Sequence, residues 1–148
     1  MPAGFAIPEA GRQLRAEPQS RCFACGEDNC HGLRIRYQRE ESGEITATWT
    51  PTPACEGFRG IVHGGVVTTV LDEAMSKAVA ATGCEALTAE LRVRFRRHVA
   101  SGGAFRIRGW IVKRSGRIVE TEASLTALDG TEHAHARAKF LALRKANA

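Results

Sequence analysis

Gly60-Ile61-Val62-His63-Gly64-Gly65-Val66-Val67-Thr68-Thr69-Val70-Leu71-Asp72-Glu73-Ala74 is the stretch whose residue types could do chemistry. It starts as a glycine-studded loop, carries His63 into a Gly-Gly pair and continues as an apolar segment with carboxylates set in it. From Gly65 onward the apolar residues Val67, Val70, Leu71, Ala74, Ala78 and Ala81 recur at i, i+3, i+4 spacing, which predicts a helix stopped by Gly83. The first N–H groups of a helix have no partner within it and lie at its positive dipole end, so Gly64 and Gly65 would offer donors to a developing oxyanion. Glu73 and Lys77, at i and i+4, read as a solvated ion pair. Asp72 has no base at i+4. The helix points it at a surface of Thr68, Met75, Ser76 and Val79, where a lone carboxylate could act as general base or nucleophile. The alternative for Asp72 is a buried carboxylate that ties down a neighbouring loop. For His63 it is a loop histidine hydrogen-bonded to backbone.

The elements that must position these groups are short and mostly extended. Leu33 to Arg39 and Glu44 to Thr50 alternate apolar and polar residues and read as a hairpin through Glu41-Ser42-Gly43, ended by Pro51 and Pro53. After the helix come four strand-like runs, Ala86 to Val99, Ala104 to Arg114, Arg117 to Leu128 and Glu132 to Leu143. Ser101-Gly102-Gly103, Ser115-Gly116 and Asp129-Gly130 are turns of the kind that join antiparallel neighbours. One face of each run is apolar and the other charged. Two strands, one long helix and four strands give an α+β fold, with one helix against a curved antiparallel sheet.

Two further groups of residues invite a functional reading. Cys22-x-x-Cys25 followed by Cys30-His31 could supply four zinc ligands, but the gap between Cys25 and Cys30 leaves little chain for a finger. Small thiols packing a turn is the preferred reading, and no metal is expected. Arg92, Arg94, Arg96, Arg106 and Arg108 could meet phosphates, yet Glu120 and Glu122 could pair with them across strands, which favours a solvated, paired face. His133, His135, Arg137 and Lys139 alternate with alanines and read as another exposed face, although the two histidines could bind metal.

The 148 residues suit one domain, with 43% hydrophobic and 25% charged residues. We expect residues 1–21, with three prolines and no sustained period, to form an arm, and 22–148 to form the domain. No apolar run is long enough to cross a bilayer, and Met1 to Ser20 lacks the pattern of a targeting peptide, so the expectation is a cytoplasmic protein with reduced thiols and no membrane partner. A net charge of +5 and a pI of about 9.3 attract polyanions without choosing among them. An aromatic content of 6%, with no stacking motif on the basic face, argues against nucleic acid as the partner.

The sequence resembles the hotdog-fold thioesterases, in particular the phenylacetyl-CoA thioesterase-like branch. The likeness rests on Gly57-Phe58-Arg59-Gly60-Ile61-Val62-His63-Gly64-Gly65, on Leu71-Asp72-Glu73-Ala74-Met75, on Thr88-Ala89-Glu90-Leu91, and on Cys22-Phe23-Ala24-Cys25-Gly26 with Gly32-Leu33. It implies a six-stranded antiparallel sheet wrapped around a central helix and hydrolysis of an acyl-CoA thioester, without a cofactor. It implies Asp72, Gly64, His63 and Thr88 as the catalytic set, with Thr88 holding the attacking water or serving as a plain strand threonine. Substrate contacts would come from Gly65, Phe58, Arg59, Met75 and Ser76. Relatives often carry proline where Arg59 stands, beside the acyl pocket. A thioester's leaving thiol has a pKa near 8.5 and departs with little help, so the site needs only an oxyanion donor and an activated nucleophile. Eight residues of helix between Gly64 and Asp72 span roughly 12 Å, too far for both to serve one carbonyl. A homodimer with two composite sites is therefore expected, as the resemblance also implies, with a homotetramer as the larger assembly that the resemblance allows. The alternatives are a non-catalytic acyl-CoA-binding module and a zinc-stabilised nucleic-acid binder.

Overall fold

The computed structural model describes residues 21–143; the expected arm, but for Arg21, lies outside the described residues. Strands β1 (Gln38–Arg39) and β2 (Ile45–Trp49) precede helix α1 (Gly64–Ala80). Strands β3 (Ala86–Phe95), β4 (Phe105–Ser115), β5 (Ile118–Ala127) and β6 (Glu132–Ala142) follow it. They form one antiparallel six-stranded sheet in the order β1-β2-β4-β5-β6-β3. The sheet curls around α1, the hotdog architecture that the resemblance implies.

Helix α1 buries Val67, Val70, Leu71, Ala74, Met75, Ala78 and Val79, a broader stripe than a surface helix shows, because the sheet covers more than one side of it. Ile107, Val119, Ala123, Leu125, Ala134, Ala136 and Phe140 meet this stripe from the inward positions of β4, β5 and β6. Gly83, at φ 81°, ends the helix where the sequence places its stop.

Two expectations about the strands need correction. Leu33 to Tyr37 keeps the expected side-chain alternation, with Ile35 buried, but it is not a strand of the sheet. Arg34 sits at φ 52°, outside strand geometry, and the backbone of Leu33 and Ile35 donates to Phe23 and Ala24 of the cysteine turn. The segment around Ser101-Gly102-Gly103 turns as expected but does not join sheet neighbours. β3 pairs with β6 at the far edge, Leu91 opposite Ala138, while β4 sits between β2 and β5. The connection instead docks on the loop before α1: Val62 donates to Val99 O, Ser101 to Gly60 O and Gly102 to Pro51 O.

Candidate active site

His63 forms the N-cap of α1. Its Nδ1 accepts the Gly65 N–H at 2.9 Å, so the ring proton sits on Nε2, and its own N–H donates to Cys55 O at 2.8 Å. The cap divides the two glycines. The Gly65 N–H is taken up by the histidine, whereas the Gly64 N–H has no acceptor among the described residues and lies on the exposed side of the helix start. A Cβ added at Gly64 would stand 3.5 Å from the Phe95 ring, which places the helix start beside the end of β3.

Two turns along α1, Asp72 is half-buried. Its Oδ1 accepts a 2.8 Å hydrogen bond from Thr88 Oγ1, and no Lys, Arg or His among the described residues lies within ion-pair distance. Burial pushes the Asp72 carboxyl above its ordinary value, the Thr88 bond pulls it back, and the Glu73 charge pushes it up again. Thr88 stands at a register shift in β3, where the pairing with β6 jumps between Thr88 and Glu90. Such a bulge re-aims a side chain, here from the strand toward the helix.

Helix α1 and strand β3 therefore run in opposite directions across the site, Gly64 against Phe95 and Asp72 near Thr88. A groove of about 280 Å³ opens at the helix start, walled by Ile61, Val67, Phe95, Arg97 and Val99. Beside it a cavity of about 590 Å³ is lined by Arg96, Arg97, His98 and His133 together with Asp129 and Thr131. His133 Nδ1 lies 2.8 Å from His98 O.

The residues expected to contact substrate are scattered. Phe58 is 82% exposed and, with exposed Arg59, tops the loop that the Gly57-to-Ile61 and Ile61-to-Phe58 backbone bonds close. Ser76 is half-buried one turn beyond Asp72. Met75 is 0% exposed and Val79 1%; both belong to the protomer's own core, because the curled sheet reaches the flank of α1 that a helical wheel leaves open beside Asp72.

Glu73 is not the solvated residue its i,i+4 spacing suggests. Its side chain is 15% exposed and 3.8 Å from Lys77, and the Cys22–Cys25 turn packs on it, with Cys22 Sγ donating to Oε1 at 3.6 Å. Burial, reinforced by the neighbouring Glu73 carboxylate, pushes the Cys25 thiol up to about 12. Cys30 and His31 are exposed and stand apart from the two cysteines and Glu73, so the four-ligand set suggested by sequence is not assembled.

The charged face is paired, but not as expected. Glu120 meets Lys113, Glu122 meets Arg137 and His135, Glu44 meets Arg108, and Glu132 meets Arg96 and His135. Register decides this: Arg106 and Arg108 stand opposite Thr126 and Ser124 on β5, and Arg92 and Arg94 opposite Arg137 and His135 on β6. Among the described residues, Arg92, Arg94 and Arg106 have no carboxylate within 4.0 Å.

The thioesterase superfamily profile matches residues 59–134, just over half of the chain. Among solved structures, the thioesterase superfamily protein RHA08564 superposes with a TM-score of 0.77 at 25% identity, covering 80% of this chain but only 61% of that one. A hypothetical thioesterase from Streptococcus pneumoniae TIGR4, solved with coenzyme A, gives 0.70 at 15% identity, covering 76% of this chain and 88% of that one. The Escherichia coli PaaI protein of the phenylacetic acid degradation operon gives 0.70 at 18% identity, covering 76% and 81%. No curated protein matches this sequence. No helix among the described residues is long and apolar enough to cross a membrane. With the profile laid over the His63 cap, the whole of α1 and the edge strand β3, the chain belongs to the thioesterase superfamily.

Proposed function

We propose that this protein hydrolyses acyl-CoA thioesters at two composite sites of a homodimer. The observation that carries the reading is Asp72: among the described residues a half-buried carboxylate with no cationic partner, held by one hydroxyl, on a helix whose first amide has no acceptor there. Buried unpaired carboxylates cost stability, and they concentrate where a poised base is useful. Asp72 serves as general base on water or as the nucleophile that forms a mixed anhydride. The Gly64 N–H receives the oxyanion, and the thiolate of coenzyme A leaves without a general acid. His63, its Nδ1 engaged with Gly65, holds the helix start in shape and keeps Nε2–H available as a second donor.

What supports the dimer is the run of α1 against β3. β3 is an edge strand, so two copies can pair antiparallel across a twofold axis. That pairing sets the Phe95 end of one β3 against the Thr88 end of the other. It thereby brings Gly64 of one protomer toward Asp72 of its partner. The basic rim of Arg96, Arg97, His98 and His133 suits the phosphates of coenzyme A, and exposed Phe58 and Arg59 would meet the acyl group or the partner. The coenzyme A bound to the pneumococcal relative supports the ligand class.

Thiol release from a panel of acyl-CoAs, compared between wild type and Asp72→Asn, tests the reading. Hydrolysis by the wild type and its loss in the variant are expected. Equal rates would remove Asp72 from its role, and tight acyl-CoA binding without turnover would make the protein a binding module.

A further inference from the structure

Outside the candidate active site, the chain gathers another cluster of metal-binding side chains. Cys22 Sγ, Cys25 Sγ and a Glu73 carboxylate oxygen all lie within 4.8 Å of one another, each half-buried. A zinc ion bound by two thiolates at about 2.3 Å holds the sulfurs roughly 3.8 Å apart, a separation that small side-chain rotations reach from here. The scaffold is built. Gly26 N donates to Cys22 O, closing the Cys-x-x-Cys turn, and Leu33 and Ile35 donate to Phe23 O and Ala24 O, the two residues between the cysteines. Gly32 allows that approach, since a Cβ there would stand 2.6 Å from Phe23 O. The third ligand comes from the middle of α1, 51 residues away in sequence.

We propose that Cys22, Cys25 and Glu73 form a zinc site that clamps the N-terminal turn to α1, with water in the fourth position. Two sulfur–hydrogen bonds give way to two zinc–sulfur bonds, and both protons go to solvent. Two thiolates and one carboxylate carry three negative charges. A divalent ion and the Lys77 ammonium, 3.8 Å from Glu73, neutralise all of them. Thiolate ligands select zinc over magnesium or calcium. The clamp closes on the residue next to Asp72, so its role is to hold that turn of the helix in place, and it stands whether or not Asp72 is a catalytic base.

The test is made on the full-length protein, stripped of metal under reducing conditions and dialysed against zinc, and in parallel against cobalt(II). One zinc per chain is expected, and cobalt should give the near-ultraviolet thiolate-to-metal absorption of a two-sulfur site with tetrahedral visible bands. Cys22→Ser with Cys25→Ser abolishes both signals, Glu73→Gln weakens zinc retention, and Cys30→Ser with His31→Ala leaves stoichiometry and spectrum unchanged. Reduced wild type that takes up no zinc, or a cobalt complex without thiolate absorption, overturns the proposal, and neither outcome depends on a variant folding. Loss of the signals in the Cys30/His31 variant would overturn the ligand set.

Discussion

Thr88 Oγ1 donates to Asp72 Oδ1 at 2.8 Å, from a strand that bulges at that position. Among the described residues this is the one hydrogen bond that the half-buried carboxylate receives, and it opposes the effect of burial on its proton affinity.

Removing the charge at Asp72 should separate function from stability. A carboxyl whose folded pKa is raised holds its proton better in the native than in the unfolded chain. The native state is therefore favoured at low pH, and stability falls as pH rises through the folded pKa, with the full cost present above it. Asp72→Asn keeps the acceptor for Thr88 and abolishes this cost. It should melt a few degrees higher than wild type at pH 7, with the gain shrinking as pH approaches the ordinary aspartate value of 3.8. Acyl-CoA hydrolysis should fall by about 100-fold or more. Paired thermal melts across pH and thiol-release rates at pH 7 check both halves. A variant less stable than wild type at neutral pH would mean that the Asp72 charge is compensated in the native state.

The Thr88 hydroxyl lowers the Asp72 pKa by stabilising the ionised form. Thr88→Val removes the donor and keeps the shape, so the acid limb of the kcat/KM profile should move to higher pH. Thr88→Ser should return it to the wild-type position. An unchanged limb in Thr88→Val would show that the limb reports another group or that Asp72 acts from a different environment.

The sequence makes legible whatever is set by local period. The bounds of α1 follow from the spacing of Val67, Val70, Leu71 and Ala74 and from Gly83, and Asp72 stands out because no base occupies i+4. What escapes is set by residues far apart in the chain. Glu73 pairs with Lys77 as its spacing predicts, but Cys22, 51 residues earlier, covers it. The aim of Thr88 depends on a bulge, which a strand pattern does not announce. The place of β3 beside β6 follows from the sheet closing around the helix rather than from the glycine turn before β4.

The free Gly64 N–H can be removed with little else disturbed. Gly64 is the first residue of α1, where proline is well tolerated because that amide has no helical partner. His63, at φ −58° and ψ 134°, already has the backbone that precedes a proline comfortably. Gly64→Pro should fold, dimerise and lose about 100- to 1,000-fold in kcat, the magnitude of one oxyanion donor. Mixed with Asp72→Asn it should regain activity, since a heterodimer combines the Gly64 of one chain with the Asp72 of the other at one of its two sites. In an equimolar statistical mixture that is roughly a quarter of the wild-type rate. A mixture of exchanging dimers that stays inactive would refute the shared site.

Gly109 sits on β4 against the backbone of α1. A Cβ there would stand 2.7 Å from both the carbonyl carbon and the oxygen of Ala74, and 2.9 Å from its Cβ. Real side chains do not approach a backbone so closely, so Gly109→Ala must push α1 away from the sheet two residues beyond Asp72. Overpacking of this kind costs about 1–3 kcal/mol, read as a lower midpoint in urea. The displaced helix should also lengthen the Thr88–Asp72 bond and lower kcat. Trimming the partner should not help. In Gly109→Ala with Ala74→Gly the two backbone contacts remain, and a glycine in mid-helix adds roughly 1 kcal/mol of its own. A double variant more stable than Gly109→Ala alone would show that the Ala74 methyl, and not the helix backbone, sets how near β4 can lie.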